Sequence, residues 1–161
     1  MKTLLLMRHA KSSWKNKDLP DFERPLTHRG EKDAPEMGKL LKKKNLVPSV
    51  IIASPAVRAR MTAEAVKKKS GYENEIVYLD QLYQAEVPAI IAALKGQPDD
   101  METVMLIGHN PGLESVLQIL TGKIESLPTA SIVNIALPIE HWSEISVETK
   151  GKLVKTWFSD N

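Results

Sequence analysis

Arg8 and His9 stand together directly after a short apolar segment near the start of the chain. Residues 3–7 read Thr-Leu-Leu-Leu-Met, which has the length and composition of a buried strand. In an open α/β sheet, ligands bind just beyond the carboxyl ends of the strands. An arginine at such a position can hold an anion while the adjacent histidine acts on it chemically. His109 follows a second apolar segment, residues 103–107, in the same way, which strengthens the prediction of a site.

A third apolar segment, residues 50–53, is followed by another cation, Arg58, in the first turn of a predicted helix. Because parallel strands end at one edge of a sheet, we expect Arg8, Arg58 and the two histidines to meet there. Guanidinium groups bind phosphate oxygens bidentately, and helix N-termini favour anions. The sequence therefore predicts a phosphate site that has no nucleotide-binding loop.

The chemistry that suits these residues is phosphoryl transfer. An imidazole such as His9 can attack phosphorus as a nucleophile. Arg8, Arg58 and His109 would then neutralise the phosphoryl oxygens as charge spreads over them in the transition state. Two histidines beside two arginines would repel a cation, so we predict that the site holds no metal.

Other polar residues near these strand ends have more than one interpretation. Ser12 is either a hydrogen-bond donor to phosphate or a turn residue. Asn110 either caps the helix that follows it or orients a site residue. Arg24 is expected to brace the first loop. His28 and His141 lie outside the strand ends, and we expect them at the surface or half-buried.

The elements that must position these residues alternate along the chain, which favours βαβ units. We predict an α/β fold with a mostly parallel central sheet flanked by helices. Thr27 is expected to cap one helix, Ser54-Pro55 to begin the next, and Gly71 to end it. Strands are predicted at residues 3–7, 50–53, 76–79, 103–107 and 131–137, helices at 31–44, 55–69, 87–94 and 111–121, and a C-terminal hairpin of strands at 142–147 and 152–158 with a turn at 150–151.

The composition is that of an ordinary globular protein, with 42% hydrophobic and 26% charged residues among 161. We expect one domain over residues 1–161, and the absence of Cys excludes disulfide and thiolate chemistry.

No apolar run is long enough to span a membrane and no signal peptide is evident, so we expect a cytoplasmic protein without a membrane partner. The net charge of +2 does not indicate nucleic-acid binding. The lysine runs at 42–44 and 67–69 are expected to be solvated helix ends.

Four motifs in this order resemble the histidine phosphatase superfamily, in particular its small SixA-type phosphohistidine phosphatases. The motifs are Leu-Leu-Leu-Met-Arg-His-Ala-Lys-Ser-Ser-Trp at 4–14, Asp-Phe-Glu-Arg-Pro-Leu-Thr-His-Arg-Gly at 21–30, Ser-Pro-Ala-Val-Arg-Ala at 54–59 with Thr62, and Gly-His-Asn-Pro at 108–111. The resemblance covers nearly the whole chain and implies a phosphoglycerate mutase-like fold. It also implies that His9 becomes phosphorylated, that Arg8, Arg58 and His109 complete the phosphate pocket, and that no cofactor takes part.

Two positions depart from the pattern of this superfamily. Ala10 stands where many members have glycine, and alanine would be strained there if φ were positive. Many members also use a carboxylate as general acid, and the candidate here, Glu86, fits that role poorly. Asp18, Asp21 and Glu23 in the first loop are other candidates. A phosphohistidine substrate releases a labile nitrogen leaving group that depends less on an acid, which favours a P–N substrate over an ester.

Three classes of function remain open at this point. The leading hypothesis is a phosphatase that acts on phosphohistidine in a protein, with a small phosphorylated metabolite as the alternative substrate. A mutase would have to exclude water from the phosphoenzyme, and the short connections leave no room for a lid, so hydrolysis is favoured. A non-catalytic phosphate-binding module is the third class.

Overall fold

The computed structural model describes residues 1–159 and is organised around a six-stranded sheet. Its order is β3-β2-β4-β1-β5-β6. The first four of these strands are parallel, whereas β5 is antiparallel to β1 and β6 is antiparallel to β5. This topology confirms the predicted α/β fold with a mostly parallel sheet. The strands are β1 (Lys2–Arg8), β2 (Val50–Ala53), β3 (Val77–Tyr78), β4 (Thr103–Gly108), β5 (Ile132–Leu137) and β6 (Lys152–Trp157).

Helices cover both faces of the sheet: α1 (His28–Lys43) and α2 (Val57–Ser70) on one face, α3 (Val87–Lys95) and α4 (Gly112–Thr121) on the other. Along β1, Leu4 and Leu6 pack in the core beneath α3 and α4, while Leu5 and Met7 pack in the core beneath α1 and α2. A strand that is buried on both faces has no polar alternation, which is why residues 4–7 are uniformly apolar.

Local sequence signals set several helix ends as predicted. The Thr27 hydroxyl accepts a hydrogen bond from the Gly30 backbone N–H at 3.0 Å. Helix α1 begins directly after Thr27, at His28, which is earlier than the predicted start at residue 31. Gly71 and Gly122 adopt left-handed conformations at the ends of α2 and α4. The predicted start of α2 was wrong. The N-cap residue of α2 is Ala56, and Ser54, which was expected to begin the helix, lies outside it and does not cap it.

The predicted C-terminal hairpin was also wrong. Residues 142–144 form a single 3-10 turn instead of a strand. The reason is Trp142, which is fully buried and donates its indole N–H to the carbonyl of Met101 at 2.6 Å. β6 therefore pairs with β5 rather than with a neighbouring hairpin strand, and Gly151 precedes it with its N–H bound to the Leu120 carbonyl.

One edge of the sheet collects the segments that the sequence singled out. The carboxyl ends of β1, β2 and β4 lie there because these strands are parallel and adjacent. The segment before β5 reaches the same edge because β5 runs the opposite way: the Ala130 N–H donates to the carbonyls of Arg8 and His9. Across residues 1–159, no helix has the length and apolar character needed to cross a membrane.

Candidate active site

A cleft of about 450 Å³ opens at this edge of the sheet. The predicted residues Arg8, His9, Arg58 and His109 all line it. The rings of His9 and His109 lie side by side with their centroids 5.2 Å apart. The remaining lining residues are Lys11, Ser12, Trp14, Arg24, Gln84, Asn110 and Thr129.

His9 is held in a defined orientation and tautomer. Its Nδ1 lies 2.7 Å from the carbonyl oxygen of Ala10. A carbonyl oxygen can only accept, so Nδ1 carries the proton, and Nε2 keeps its lone pair. Burial, reinforced by the charges of Arg58 and Arg8, lowers the pKa of His9 to about 4 even though the Ala10 contact raises it. His9 is therefore neutral near pH 7, and its Nε2 keeps an unprotonated lone pair.

His109 is also neutral, and Ser54 determines which of its nitrogens is free. Burial, followed by the proximity of His9 and Arg58, lowers the pKa of His109 to about 3. Its Nε2 lies 2.7 Å from the hydroxyl of fully buried Ser54, which also accepts the Ala56 N–H at 3.2 Å. If the Ser54 hydroxyl donates to Nε2, the ring proton sits on Nδ1. That tautomer offers a hydrogen-bond donor to an anion.

Buried polar atoms without a partner are concentrated in the cleft. Six side-chain N or O atoms of residues 1–159 are buried and unpaired, and four of them belong to residues that line the cleft. Such atoms are rare in folded proteins, and a catalytic role or an ion held at the site is one explanation for them. Three of the four suit an oxyanion as donors, Arg8 Nε, Arg58 Nε and His109 Nδ1, and the fourth is the acceptor Asn110 Oδ1.

Both arginines are fixed by backbone carbonyls. Arg8 donates from Nη1 to the Leu127 carbonyl at 3.0 Å, and burial lowers its pKa. Arg58 donates from Nη1 to the Asp21 carbonyl at 2.8 Å and from Nη2 to the Asp21 carboxylate at 3.0 Å. Each guanidinium therefore has part of its fork committed to the fold and part left for a ligand, which orients it in advance.

Asp21 is the centre of a polar network beside the cleft. Its carboxylate accepts hydrogen bonds from Arg58, from Arg24 Nε at 3.1 Å and from the Tyr83 hydroxyl at 2.6 Å. Partial burial raises the pKa of Asp21, but the hydrogen bonds from Tyr83 and Arg58 outweigh it and hold the pKa at about 2. Asp21 is consequently ionised near neutral pH, so its role is to hold cations rather than to donate a proton.

The backbone at Ala10 is fixed from α2. The Ala10 N–H donates to the Thr62 hydroxyl at 3.0 Å, and that hydroxyl donates to the Arg58 carbonyl at 2.7 Å. Among residues 1–159, the non-glycine positions with positive φ are Asn45, Gln84 and Ala130, so alanine at position 10 carries no such strain. Thr62 thereby couples the segment that carries His9 to the first turn of α2.

The first loop is braced as predicted. Arg24 donates from Nη1 to the Ser12 hydroxyl at 2.8 Å and to the Ser13 carbonyl at 3.3 Å. Its guanidinium carbon lies 3.4 Å from the ring centroid of Trp14, which is 71% exposed. Ser12 is therefore engaged with Arg24, and Trp14 borders the cleft.

Asn110 joins the start of the α4 segment to the loop before β5. Its side-chain NH₂ donates to the Glu114 carboxylate at 3.0 Å and to the Leu127 carbonyl at 2.9 Å. Both partners are acceptors, which fixes the orientation of the amide. Asn110 thus orients the loop that holds Arg8, and its Oδ1 is left without a partner.

The remaining candidates do not line the cleft. Glu86 lines a separate cavity beside it, and Asp18 and Glu23 are exposed. His28 and His141 are exposed and do not line the cleft, and His141 Nδ1 pairs with Asp99 at 2.9 Å. Within residues 1–159, no three His, Asp or Glu side chains are grouped so that they could hold a metal ion.

Three positioning residues were not assigned their roles from the sequence. Ser54 looked like a helix cap, Tyr83 carried no signal, and Asp21 was considered only as an acid. Tyr83 and Arg58 reach Asp21 across 62 and 37 residues of sequence, respectively. Only the folded chain brings such groups together.

Comparison with known proteins identifies the family. A family model for the histidine phosphatase superfamily (branch 1) matches residues 4–84. An uncharacterized chloroplastic protein of Arabidopsis thaliana is 30% identical over 156 residues, which cover 88% of this chain and 69% of that protein.

Solved structures share the whole fold. SixA from Agrobacterium tumefaciens superimposes with a TM-score of 0.83 at 25% identity, over 98% of this chain and 97% of that one. The protein histidine phosphatase SixA complexed with tungstate gives a TM-score of 0.82 at 22% identity, over 96% and 95% of the two chains. The chain belongs to the histidine phosphatase superfamily, with SixA-type proteins among its structural neighbours, and this membership supports a phosphatase activity.

Proposed function

We propose that the protein hydrolyses phosphohistidine in a phosphorylated protein through a phosphoenzyme on Nε2 of His9. The observation that carries this proposal is the composition of the cleft. It places a neutral imidazole nucleophile among cationic donors, and none of the described residues that line it is Asp or Glu. The residues that line the cleft itself therefore supply no carboxylic acid to protonate an alkoxide.

In the first step, the Nε2 lone pair of His9 attacks phosphorus. The Nε2–P bond forms as the bond from phosphorus to the leaving nitrogen breaks, and the electron pair of that bond goes to the leaving imidazole. The side chains of Arg8, Arg58 and His109 line the cleft and would supply donors to the three equatorial oxygens. Donors oriented before the reaction stabilise the developing charge without reorganisation.

The positive charge that His9 acquires during attack is shared with the Ala10 carbonyl through Nδ1–H. In the second step, water attacks phosphorus, the Nε2–P bond breaks, and its electron pair returns to Nε2. The proton lost by the water goes to solvent or to the released phosphate. Free His9 is then restored in its neutral form, and inorganic phosphate leaves the cleft.

A phosphohistidine leaving group suits this site because imidazole departs readily from phosphorus. Lys11 and Trp14 line the cleft and are exposed, so its border is accessible to a protein surface. The fold shared with the tungstate complex of SixA is consistent with an oxyanion in this cleft, since tungstate, like phosphate, is tetrahedral.

The proposal is tested by phosphate release from a chemically phosphorylated histidine-containing protein. Wild type should release phosphate and transiently gain the mass of one phosphoryl group, and His9→Ala should do neither. His28→Ala is the matched control, since His28 is exposed and outside the cleft. Turnover of small esters without phosphohistidine turnover would replace the protein substrate by a small phosphorylated metabolite. Turnover of neither would indicate a non-catalytic phosphate-binding module.

A further inference from the structure

A second cavity, of about 500 Å³, adjoins the catalytic cleft. The two share Gln84 and Asn110 as lining residues, so the cavity is a direct neighbour of the cleft. The cavity lies between the segment that precedes α3 and the beginning of α4. Its other walls include the apolar side chains of Val87 and Pro88.

The chemistry of this cavity is opposite to that of the cleft. None of the described residues that line it is Lys or Arg, whereas the cleft contains Arg8, Arg24, Arg58 and Lys11. Its polar side chains are the Glu86 carboxylate, the Ser115 hydroxyl and the amides of Gln84 and Asn110, each of which can accept a hydrogen bond. Glu86 is the N-cap residue of α3, yet its side chain makes no capping hydrogen bond.

The walls of the cavity are held in place by backbone constraints. A Cβ at Gly112 would collide with the carbonyl oxygen of Ala85, so only glycine permits this close approach of α4 to the segment before α3. Gln84 has a φ of 50°, a left-handed conformation that is unusual for a residue with a side chain. Strained residues of this kind are concentrated at functional sites.

We propose that this cavity is the leaving-group subsite and that it selects a leaving group which carries a proton or a positive charge. Glu86 is its specificity-determining residue. The inference rests on the proposed phosphatase function and names the ligand of the adjoining space. For phosphohistidine, the group that enters is the imidazole ring, with apolar walls for its faces and acceptors for its N–H.

This subsite also explains how the reaction proceeds without a general acid in the cleft. When the ring nitrogen that is not bonded to phosphorus carries a proton, the P–N bond can break with its electron pair moving onto the ring. A neutral imidazole then leaves, and no proton has to be delivered to it. A carboxylate that accepts a hydrogen bond from that N–H favours the protonated ring before cleavage.

The subsite is tested with two small esters of similar size and opposite leaving-group charge, phosphoethanolamine and phosphoglycolate. The ratio of their kcat/KM values is measured for wild type, Glu86→Gln and Glu86→Lys. Wild type should prefer phosphoethanolamine. We expect Glu86→Gln to lower the ratio about two- to fivefold, the range of exposed charge pairs, and Glu86→Lys to lower it further. Glu73→Lys is the control, since Glu73 is exposed and lines neither space.

N-phosphohistidine is measured in parallel to separate this inference from the proposed function. Its kcat/KM should fall in Glu86→Gln and stay within about twofold of wild type in the control Glu73→Lys. A ratio of the two esters that is the same in wild type and both Glu86 variants would overturn the subsite. If wild type hydrolyses the esters but not N-phosphohistidine, the proposed substrate fails while the ester ratio still decides the subsite. Inactivity on every substrate overturns both.

Discussion

Two basic regions lie at opposite edges of the sheet, and they differ in how their cations are held. At the carboxyl edge, Arg24 and Arg58 are buried and bound to Asp21, and Arg8 is bound to a backbone carbonyl. At the other edge, α1 and α2 end in the lysine runs 42–44 and 67–69, whose side chains are mostly exposed. The lysine region has more charge, but the arginine region has the oriented, unpaired donors.

This difference indicates that burial and prior orientation, rather than charge, set the candidate phosphate site apart from an ordinary basic surface. Exposed lysines at helix ends gain a little from the helix dipole and remain solvated. A buried guanidinium with part of its fork fixed can offer the rest to a ligand without a further entropic cost.

The largest difference between the regions should appear on removing one cation from each. Arg58→Ala should lower kcat/KM for phosphohistidine about a hundred- to a thousandfold, because it removes an oriented donor to the transition state. Lys68→Ala should change it less than about twofold, since exposed charges act weakly. Steady-state kinetics of the two variants decide this. Comparable losses in both would mean that general electrostatic attraction carries the activity.

A smaller loss is expected when the orientation of Arg58 is disturbed but its charge is kept. Asp21→Asn should lower kcat/KM about ten- to a hundredfold. Arg58 would remain in the site, but it would no longer be held in the orientation that stabilises the transition state. The measurement compares p-nitrophenyl phosphate with an alkyl ester. A positioning role lowers both equally. A loss confined to the alkyl ester, whose leaving group needs a proton, would instead make Asp21 the general acid.

Ser54 and Ser70 offer a matched pair of buried serines, one at each edge. Each hydroxyl accepts the backbone N–H two residues later, but only Ser54 contacts a histidine. Both alanine variants should lose about 1–3 kcal/mol of stability, since each leaves a buried N–H unpaired. Only Ser54→Ala should also lower kcat, about tenfold, and shift the His109 tautomer seen by ¹⁵N NMR. Ser54→Thr, which keeps a hydroxyl, should restore kcat. Ser70→Ala should leave kcat unchanged. An unchanged tautomer in Ser54→Ala contradicts the assignment.

The last prediction concerns the pH dependence of stability. The unfolded chain protonates its imidazoles near pH 6.5, whereas folded His9 does so near a pKa of about 4. The unfolded state therefore binds more protons between these values, and the free energy of unfolding falls as the pH is lowered through that window. Denaturant unfolding of wild type and His9→Ala measures it. Wild type should lose more stability than the variant from pH 6.5 to 4, and equal losses would contradict the lowered pKa.

Much of the fold follows from local sequence. β1 was predicted because an apolar run with no polar alternation is typical of a strand buried on both faces, and Thr27 and Gly71 set helix ends as expected. Residues 142–147 looked like a strand by composition alone. The buried indole of Trp142 and its bond to Met101 are tertiary contacts that overrode that pattern.

The meeting of His9 and His109 in one cleft was predictable, because each follows the carboxyl end of a predicted parallel strand. The site was not predictable where a residue acts through another. Ser54 acts through His109, and Asp21 acts through Arg58, and both contacts depend on how the strands are ordered in the sheet.

The central claim is that Nε2 of His9 is the nucleophile because the Ala10 carbonyl holds Nδ1–H. The most direct test is to quench the reaction with alkali, isolate the phosphorylated peptide and determine which ring nitrogen of which histidine carries phosphorus. The account predicts phosphorus on Nε2 of His9. Phosphorus on Nδ1 of His9, on His109, or on no residue during turnover would contradict it.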